Sequence, residues 1–350
     1  MAKAPSRWRG LRLLFVLSAL VAGAAAFFLY ERYTGFADAP LAGIEAGETL
    51  RVEPGDSFRR VLSRLREAGV RDGHDLEWQA LARQLGADAR VQVGEYALEP
   101  GMTPRTLLQH MRSGRVVSYR FTIVEGWNMR ELRAALGRAT PLLQTIGELD
   151  DAALMDKLGH PGVHPEGRFL PETYVYTRGD SDLDVLRRAN QSLEVALQAA
   201  WEARVPGLPL DDAEQALVLA SIIEKETGIA EERARIGGVF VRRLKNGMRL
   251  QTDPTVIYGM GSRYDGNIRR ADLLADTPYN TYTRDGLPPT PIAMAGVAAL
   301  RAATQPADGD ELYFVAVGDG SGRHVFSRTL DEHNTAVRDY VRRYRAQFGQ

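Results

Sequence analysis

Residues 11–30 form an apolar run broken only by Arg12 and Ser18, and no other feature constrains the chain as strongly. A stretch of about 20 such residues matches the hydrocarbon core of a bilayer, where a helix satisfies its own backbone. Lys3, Arg7, Arg9 and Arg12 stand at its N-terminal end, whereas Glu31, Arg32 and Asp38 follow with little net charge. The positive-inside bias therefore predicts a cytoplasmic tail over residues 1–10, a spanning helix over 11–30 and an exported remainder. A cleaved signal peptide is the competing reading, because Ala22-Gly23-Ala24-Ala25-Ala26 offers small residues for processing. Phe27, Phe28, Leu29 and Tyr30 carry the apolar run beyond that point and favour an uncleaved anchor.

The chain has 350 residues, enough for two domains after this segment. Residues 31–47 contain Gly, Ala and Pro without periodicity and read as a linker. Three segments then repeat one pattern of short strand, glycine turn and helix. Leu50-Arg51-Val52-Glu53-Pro54-Gly55-Asp56-Ser57 leads into the apolar positions Phe58, Val61, Leu62 and Leu65. Glu95-Tyr96-Ala97-Leu98-Glu99-Pro100-Gly101-Met102-Thr103 leads into Leu107, Leu108 and Met111. Phe121-Thr122-Ile123-Val124-Glu125-Gly126-Trp127 leads into Leu132 and Leu136. Ser57 and Thr103 stand where N-caps are expected. In its Pro-Gly-Asp-Ser turn and following helix, the region 48–118 resembles the small βααβ glycan-binding module called LysM. A glycan-binding role and a spacer role are both open for it.

Residues 119–350 read as a mixed α+β domain, which makes the exported part α+β as a whole. Asp211 and Asp212 offer an N-cap and an acidic first turn to a helix ending in Leu219-Ala220-Ser221-Ile222-Ile223-Glu224-Lys225-Glu226-Thr227, with Gly228 as its stop. At 3.6 residues per turn, Leu219, Ile222, Ile223 and Glu226 share one stripe, whereas Glu224 lies beside Leu217, Ala220 and Ser221. A carboxylate that continues an apolar stripe is costly unless it is paired or protonated. A carboxyl that keeps its proton near neutral pH is what general-acid chemistry requires. A helix whose last turn emerges into water, leaving Glu226 solvated, also fits the spacing. A further helix over 231–245, two strands around Gly318-Asp319-Gly320-Ser321-Gly322, and a final helix from Leu330 to Phe348 complete the domain.

Between these elements lies a polar, aromatic stretch containing Gln251, Thr252, Asp253, Tyr258, Tyr279, Asn280 and Tyr282. Aromatic faces stack on sugar rings while amides and hydroxyls bind their polar groups, so the stretch suits a polyhydroxylated ligand. A proline-rich surface loop with locally packed tyrosines is the other reading. The segment Glu166-Gly167-Arg168-Phe169-Leu170-Pro171-Glu172-Thr173-Tyr174 likewise reads either as a loop lining a site or as aromatics packed on the core.

Other chemistries find little support. The formal net charge of -1 gives no electrostatic case for nucleic acid. The chain has no cysteine, so thiolate metal sites and disulfides are excluded. No phosphate loop or H-E-x-x-H pair occurs, and Ser221 lacks the turn of a serine hydrolase. His160 and His164 have helical spacing, but Pro161 and Gly162 stand between them.

Three motifs in order carry a resemblance to a known family. They are Ala220-Ser221-Ile222-Ile223-Glu224-Lys225-Glu226-Thr227, Arg249-Leu250-Gln251-Thr252-Asp253-Pro254-Thr255-Val256-Ile257-Tyr258-Gly259, and Tyr279-Asn280-Thr281-Tyr282 with Gly286-Leu287-Pro288-Pro289. Together with the anchor, they closely resemble the YceG-like family of membrane-anchored, endolytic peptidoglycan lytic transglycosylases. The resemblance implies a single-pass inner-membrane protein with its catalytic domain in the periplasm. It implies cleavage of the β-1,4 bond between N-acetylmuramic acid and N-acetylglucosamine in nascent strands, leaving 1,6-anhydro ends and ending strand elongation. It implies no cofactor, glycan strands as substrate and peptidoglycan synthases as partners. It maps the catalytic acid/base onto Glu226, with Glu224 as a supporting carboxylate; the reverse assignment stays open. A non-catalytic peptidoglycan-binding scaffold is the alternative. A lysozyme-like hydrolase, with Asp253 as its second carboxylate, is a third reading.

Overall fold

The computed structural model describes residues 7–88 and 91–349; residues 1–6 of the expected tail, Lys3 among them, lie outside these. Helix α1 (Arg7–Asp38) has 32 residues. Within it Leu11–Asp38 is long and apolar enough to cross a membrane, and Phe15, Leu17, Phe27 and Leu29 are exposed along it. This fits a single-pass anchor. The linker expected over 31–47 is helical as far as Asp38. The physical reason is a second apolar pattern, because Tyr33, Phe36 and Ala37 recur at helical spacing and pack on the unit that follows. Phe36 meets the Trp78 ring edge-on at 5.3 Å, and Arg105 holds Asp38 with bonds of 2.7 and 3.1 Å.

The chain divides into two compact units. The first comprises residues 1–119 with Thr177–Gly179, and the second holds the rest. The first contains β1 (Thr49–Val52), α2 (Phe58–Glu67), α3 (Asp75–Leu85), β2 (Gly94–Ala97) and α4 (Pro104–Ser113). β1 and β2 pair antiparallel with Leu50 opposite Tyr96. Ser57 and Thr103 cap α2 and α4 by accepting from the N–H groups of Arg60 and Thr106. Val61, Leu65, Trp78, Leu81, Tyr96 and Leu107 fill the core between the helices and the strand pair.

Glu95 is the buried carboxylate of this unit among the described residues, 4% exposed. Burial works to raise its pKa, but bonds from Arg178 (2.8 and 3.2 Å), Tyr119 (2.7 Å) and Thr49 (2.8 Å) outweigh it and bring it down to about 2. A depressed carboxyl stabilises the fold above its unfolded pKa, and that stability is lost as pH falls from there toward about 2. Thermal melts between pH 6 and pH 3 should therefore show a smaller acid-induced decline for Glu95→Gln than for the parent chain. Equal declines would remove Glu95 from the acid response.

The second unit holds most of β3 (Ser118–Thr122) and of β4 (Thr173–Thr177), whose residues 118, 119 and 177 count with the first, together with α5 (Met129–Leu136), α6 (Asp151–Leu158), α7 (Asp182–Glu202), α8 (Ala213–Glu226), α9 (Ala230–Lys245), α10 (Asp253–Met260), α11 (Arg270–Leu274), α12 (Val297–Thr304), β5 (Tyr313–Ala316), β6 (His324–Ser327) and α13 (Leu330–Phe348). β3 pairs with β4, and β5 pairs antiparallel with β6. The architecture is thus mixed α+β, with helices dominating.

Helix α8 is the centre of this unit. Asp212 caps it by accepting from the Gln215 N–H, and every residue from Ala216 through Ile223 is buried. Helices α7, α9, α10 and α12 pack around it, so α8 exposes no face between Ala216 and Ile223. α9 reaches α12 through Gly237, where a Cβ would meet the Ala302 carbonyl oxygen at 2.4 Å. The helix stops at Thr227, whose extended backbone ends it one residue before the glycine expected to do so.

Candidate active site

The buried run of α8 delivers Glu224 and Glu226 together at its C-terminal turn, but their surroundings differ. Thr252 Oγ1 donates to Glu226 Oε1. Thr252 is itself fixed, since its N–H donates to Thr281 Oγ1 at 3.1 Å and its carbonyl accepts from Thr255 at 2.8 Å. Glu226 keeps some exposed surface while protein encloses its carboxyl. Burial is the largest influence and pushes that carboxyl up to about 7; the Thr252 bond opposes it, and the charge of Asp253 adds to it. No arginine or lysine pairs with Glu226 among the described residues.

Glu224, on the other face of the helix, is buried as well, its side chain only 4% exposed. It accepts from the Gly296 N–H at 2.9 Å, at the N-terminus of α12, and Arg233 lies 3.6 Å away. Burial raises its pKa, while Gly296 and Arg233 favour the charged form. What separates the two glutamates is therefore the partner and not the depth. Glu224 ties α8 to α12 and α9, whereas Glu226 holds one neutral hydroxyl.

The corner at Gln251 places Thr252 and Asp253. Gln251 has φ 52°, the only positive value at a non-glycine among the described residues. Such strain persists where the surroundings over-determine it. Here Gln251 Oε1 accepts from Arg243 at 3.2 Å, and its N–H donates to the Thr281 carbonyl at 3.1 Å. Asp253 opens α10, exposed, and its Oδ1 accepts from the Tyr282 hydroxyl at 2.6 Å. Tyr282 is thus brought beside Glu226, and burial raises its pKa.

The remaining residues of the polar stretch form a second group. Tyr258 packs edge-on to Tyr279 at 4.8 Å and donates to Glu166 Oε2 at 3.1 Å, and Tyr279 bonds Thr290 at 2.8 Å. Asn280 does not fit a ligand-binding role. It is 1% exposed, and its amide is consumed by the carbonyls of Asp272, Leu273 and Ala275 and by the Tyr282 N–H. A buried amide is retained where it satisfies several backbone groups at once, and here it holds the loop that carries Tyr279 and Tyr282.

The model of the YceG-like family matches residues 50–339, a span that takes in both glutamates and the whole polar stretch. The chain belongs to the YceG-like family. A relative named endolytic murein transglycosylase in Bacillus subtilis strain 168 is 32% identical over 314 residues, 83% of this chain and 84% of that protein. A Streptococcus pneumoniae D39 relative of the same name is 24% identical over 327 residues, 84% of this chain but 58% of that longer protein. The crystal structure of a yceG-like protein from Listeria monocytogenes superposes with a TM-score of 0.52 at 27% identity, covering 82% of this chain and 98% of that one.

Two residues of this family member escape a reading of its sequence. Glu166 is 3% exposed, and burial pushes its carboxyl up to about 7 against bonds from the Met129 N–H and Tyr258. Its signal is the Glu166-Gly167 opening of the aromatic segment, which reads as a loop and not as a carboxyl. Arg243 is 8% exposed, with its guanidinium bonded to the carbonyls of Arg249, Leu250 and Leu312. It continues the Ile236, Val239 and Phe240 stripe of α9, the same kind of signal that draws attention to Glu226.

Proposed function

We propose that the protein is an endolytic murein transglycosylase that cleaves the bond between N-acetylmuramic acid and N-acetylglucosamine with formation of 1,6-anhydro ends. The observation that carries this reading is the Glu226 carboxyl, raised to about 7, with one hydroxyl partner at the end of a buried helix. The names of the relatives support the substrate class.

Glu226 gives its proton to the leaving O4 of N-acetylglucosamine as the C1–O4 bond breaks. The 6-hydroxyl of the muramic acid then closes on C1, and its proton returns to Glu226. One carboxyl serves as acid and then as base, and the intramolecular nucleophile enjoys a high effective concentration. A hydrolase would instead need a second carboxylate to activate water or to attack. The two routes differ in product, so mass spectrometry of digested, uncrosslinked strands tests the reading. Anhydro ends are expected; reducing ends would make the protein a hydrolase, and intact strands a scaffold.

Glu224, held by Gly296 and Arg233, has a supporting role. Glu224→Gln should keep turnover within about tenfold of the parent while lowering the melting temperature, since a neutral amide still meets one of those partners but loses the ion pair. A loss as deep as that of Glu226→Gln would reverse the assignment.

The rest of the proposal concerns placement. The positive residues before the apolar run put the N-terminus in the cytoplasm and the rest in the periplasm. Residues 48–118 serve as a LysM-like glycan-binding module, a reading supported by the order β1, α2, α3, β2 and by the antiparallel strand pair. Residues 119–350 form the catalytic domain, acting on nascent strands beside peptidoglycan synthases and ending their elongation.

A further inference from the structure

The pair Asp253–Tyr282 performs no bond chemistry in this reaction, yet its placement is specific. Asp253 is the residue next to Thr252, the hydrogen-bond partner of Glu226. It stands at the first position of α10, where the helix N-terminus favours an anion. Its Oδ1 receives the Tyr282 hydroxyl at 2.6 Å, which fixes the carboxylate in place without neutralising it. No arginine or lysine pairs with Asp253 among the described residues. An anion so placed, beside a carboxyl that must hold a proton, has an electrostatic consequence.

We propose that Asp253, anchored by Tyr282, is a positioning residue whose charge keeps the proton on Glu226 until the glycosidic oxygen takes it. This rests on Glu226 being the acid/base of the proposed reaction. The same charge then assists the second half. Once Glu226 has ionised, two neighbouring carboxylates repel, so Glu226 recovers its proton readily from the 6-hydroxyl. A single fixed anion thereby keeps more of Glu226 protonated before the bond breaks and favours the return of its proton afterwards, so Glu226 ends the cycle as it began.

The other charged groups near Glu226 are engaged elsewhere. On α8 itself, Glu224 bonds Gly296 and Lys225 Nζ bonds the Gly126 carbonyl at 3.1 Å. From α9, Arg243 faces carbonyl oxygens and the Tyr313 ring, and acts on Tyr282 to lower its pKa. The burial of Glu226 and the charge of Asp253 act in the same direction, opposed by the Thr252 bond.

The test uses the full-length protein in detergent micelles. The Glu226 carboxyl is followed by infrared difference titration against Glu226→Gln, and turnover on uncrosslinked strands is followed across pH. In Asp253→Asn the Glu226 titration should move down by about one pH unit, with activity above pH 7 falling roughly tenfold more than activity near pH 5.5. Tyr282→Phe, which removes one oxygen and leaves the ring, should move it the same way by less. A titration unchanged in both variants, or a loss of activity equal at every pH, would overturn the proposal. The two claims fail separately, because the titration reads Asp253 whether or not anhydro ends form, whereas a parent chain without anhydro ends sinks the underlying reaction.

Discussion

Glu226→Gln is expected to abolish the formation of anhydro ends, with turnover down by about 10³-fold or more. General-acid and general-base contributions each span roughly two to four orders of magnitude, and one residue supplies both here. Glutamine keeps the shape and the acceptor for Thr252 but has no proton to give. In the parent chain, the fraction of enzyme ready to act as acid falls as pH rises through about 7, so kcat/KM should fall on that limb. The sign for stability is opposite to that of Glu95. A carboxyl whose folded pKa is raised contributes fully below its unfolded value and loses that contribution as pH rises through about 7. Glu226→Gln, neutral at every pH, should thus melt at or above the parent temperature at pH 8. An inactive variant that also melts lower would point to lost structure, and an active one would remove Glu226 from the chemistry.

Arg243→Met should produce the largest loss of stability among the residues around the site, about 3–5 kcal/mol, or roughly 10 °C in melting temperature. The guanidinium is a buried cross-link, with Nε donating to the Leu312 carbonyl at 2.7 Å. Nη1 reaches the carbonyls of Arg249 and Leu250, each at 3.0 Å, and Gln251 Oε1 at 3.2 Å. Burial pulls its pKa down, and the carbonyl dipoles together with the Tyr313 ring at 5.0 Å stand in for a counter-ion. Methionine fills the volume but leaves these acceptors without donors in a dry setting. Activity should fall as well, since the strained Gln251 corner aims Thr252 at Glu226. Arg243→Lys should recover only part of either effect, because a single ammonium nitrogen cannot stand at both the Nε position that meets Leu312 and the Nη1 position that meets Arg249, Leu250 and Gln251. A melting temperature within about 2 °C of the parent for Arg243→Met would contradict this account.

Several elements can be read directly from the chain, and each depends on near neighbours. The caps at Ser57, Thr103 and Asp212 are decided by residues three positions on. The final helix, Leu330–Phe348, and the β5–β6 hairpin follow from periodicity and glycine turns. The expected linker is helical in part because Tyr33, Phe36 and Ala37 form a pattern too short to stand out beside the apolar run before it. Asn280 looks available for sugar binding because a sequence shows amides and not what they bond.

The carboxylate pair marks the boundary between the two kinds of information. The sequence by itself determined that α8 is an apolar helix ending in Glu224 and Glu226, and its ordered motifs determined the family. Helical projection separated the glutamates by face, yet α8 is buried on every face from Ala216 to Ile223 and both carboxyls are desolvated. Only the tertiary structure decided how they differ, because their partners arrive from far along the chain. Gly296 is 72 positions from Glu224, and Thr252 is 26 positions from Glu226. A helix forms from interactions within a few residues, whereas the proton affinity of a buried group is set by whatever the fold brings against it.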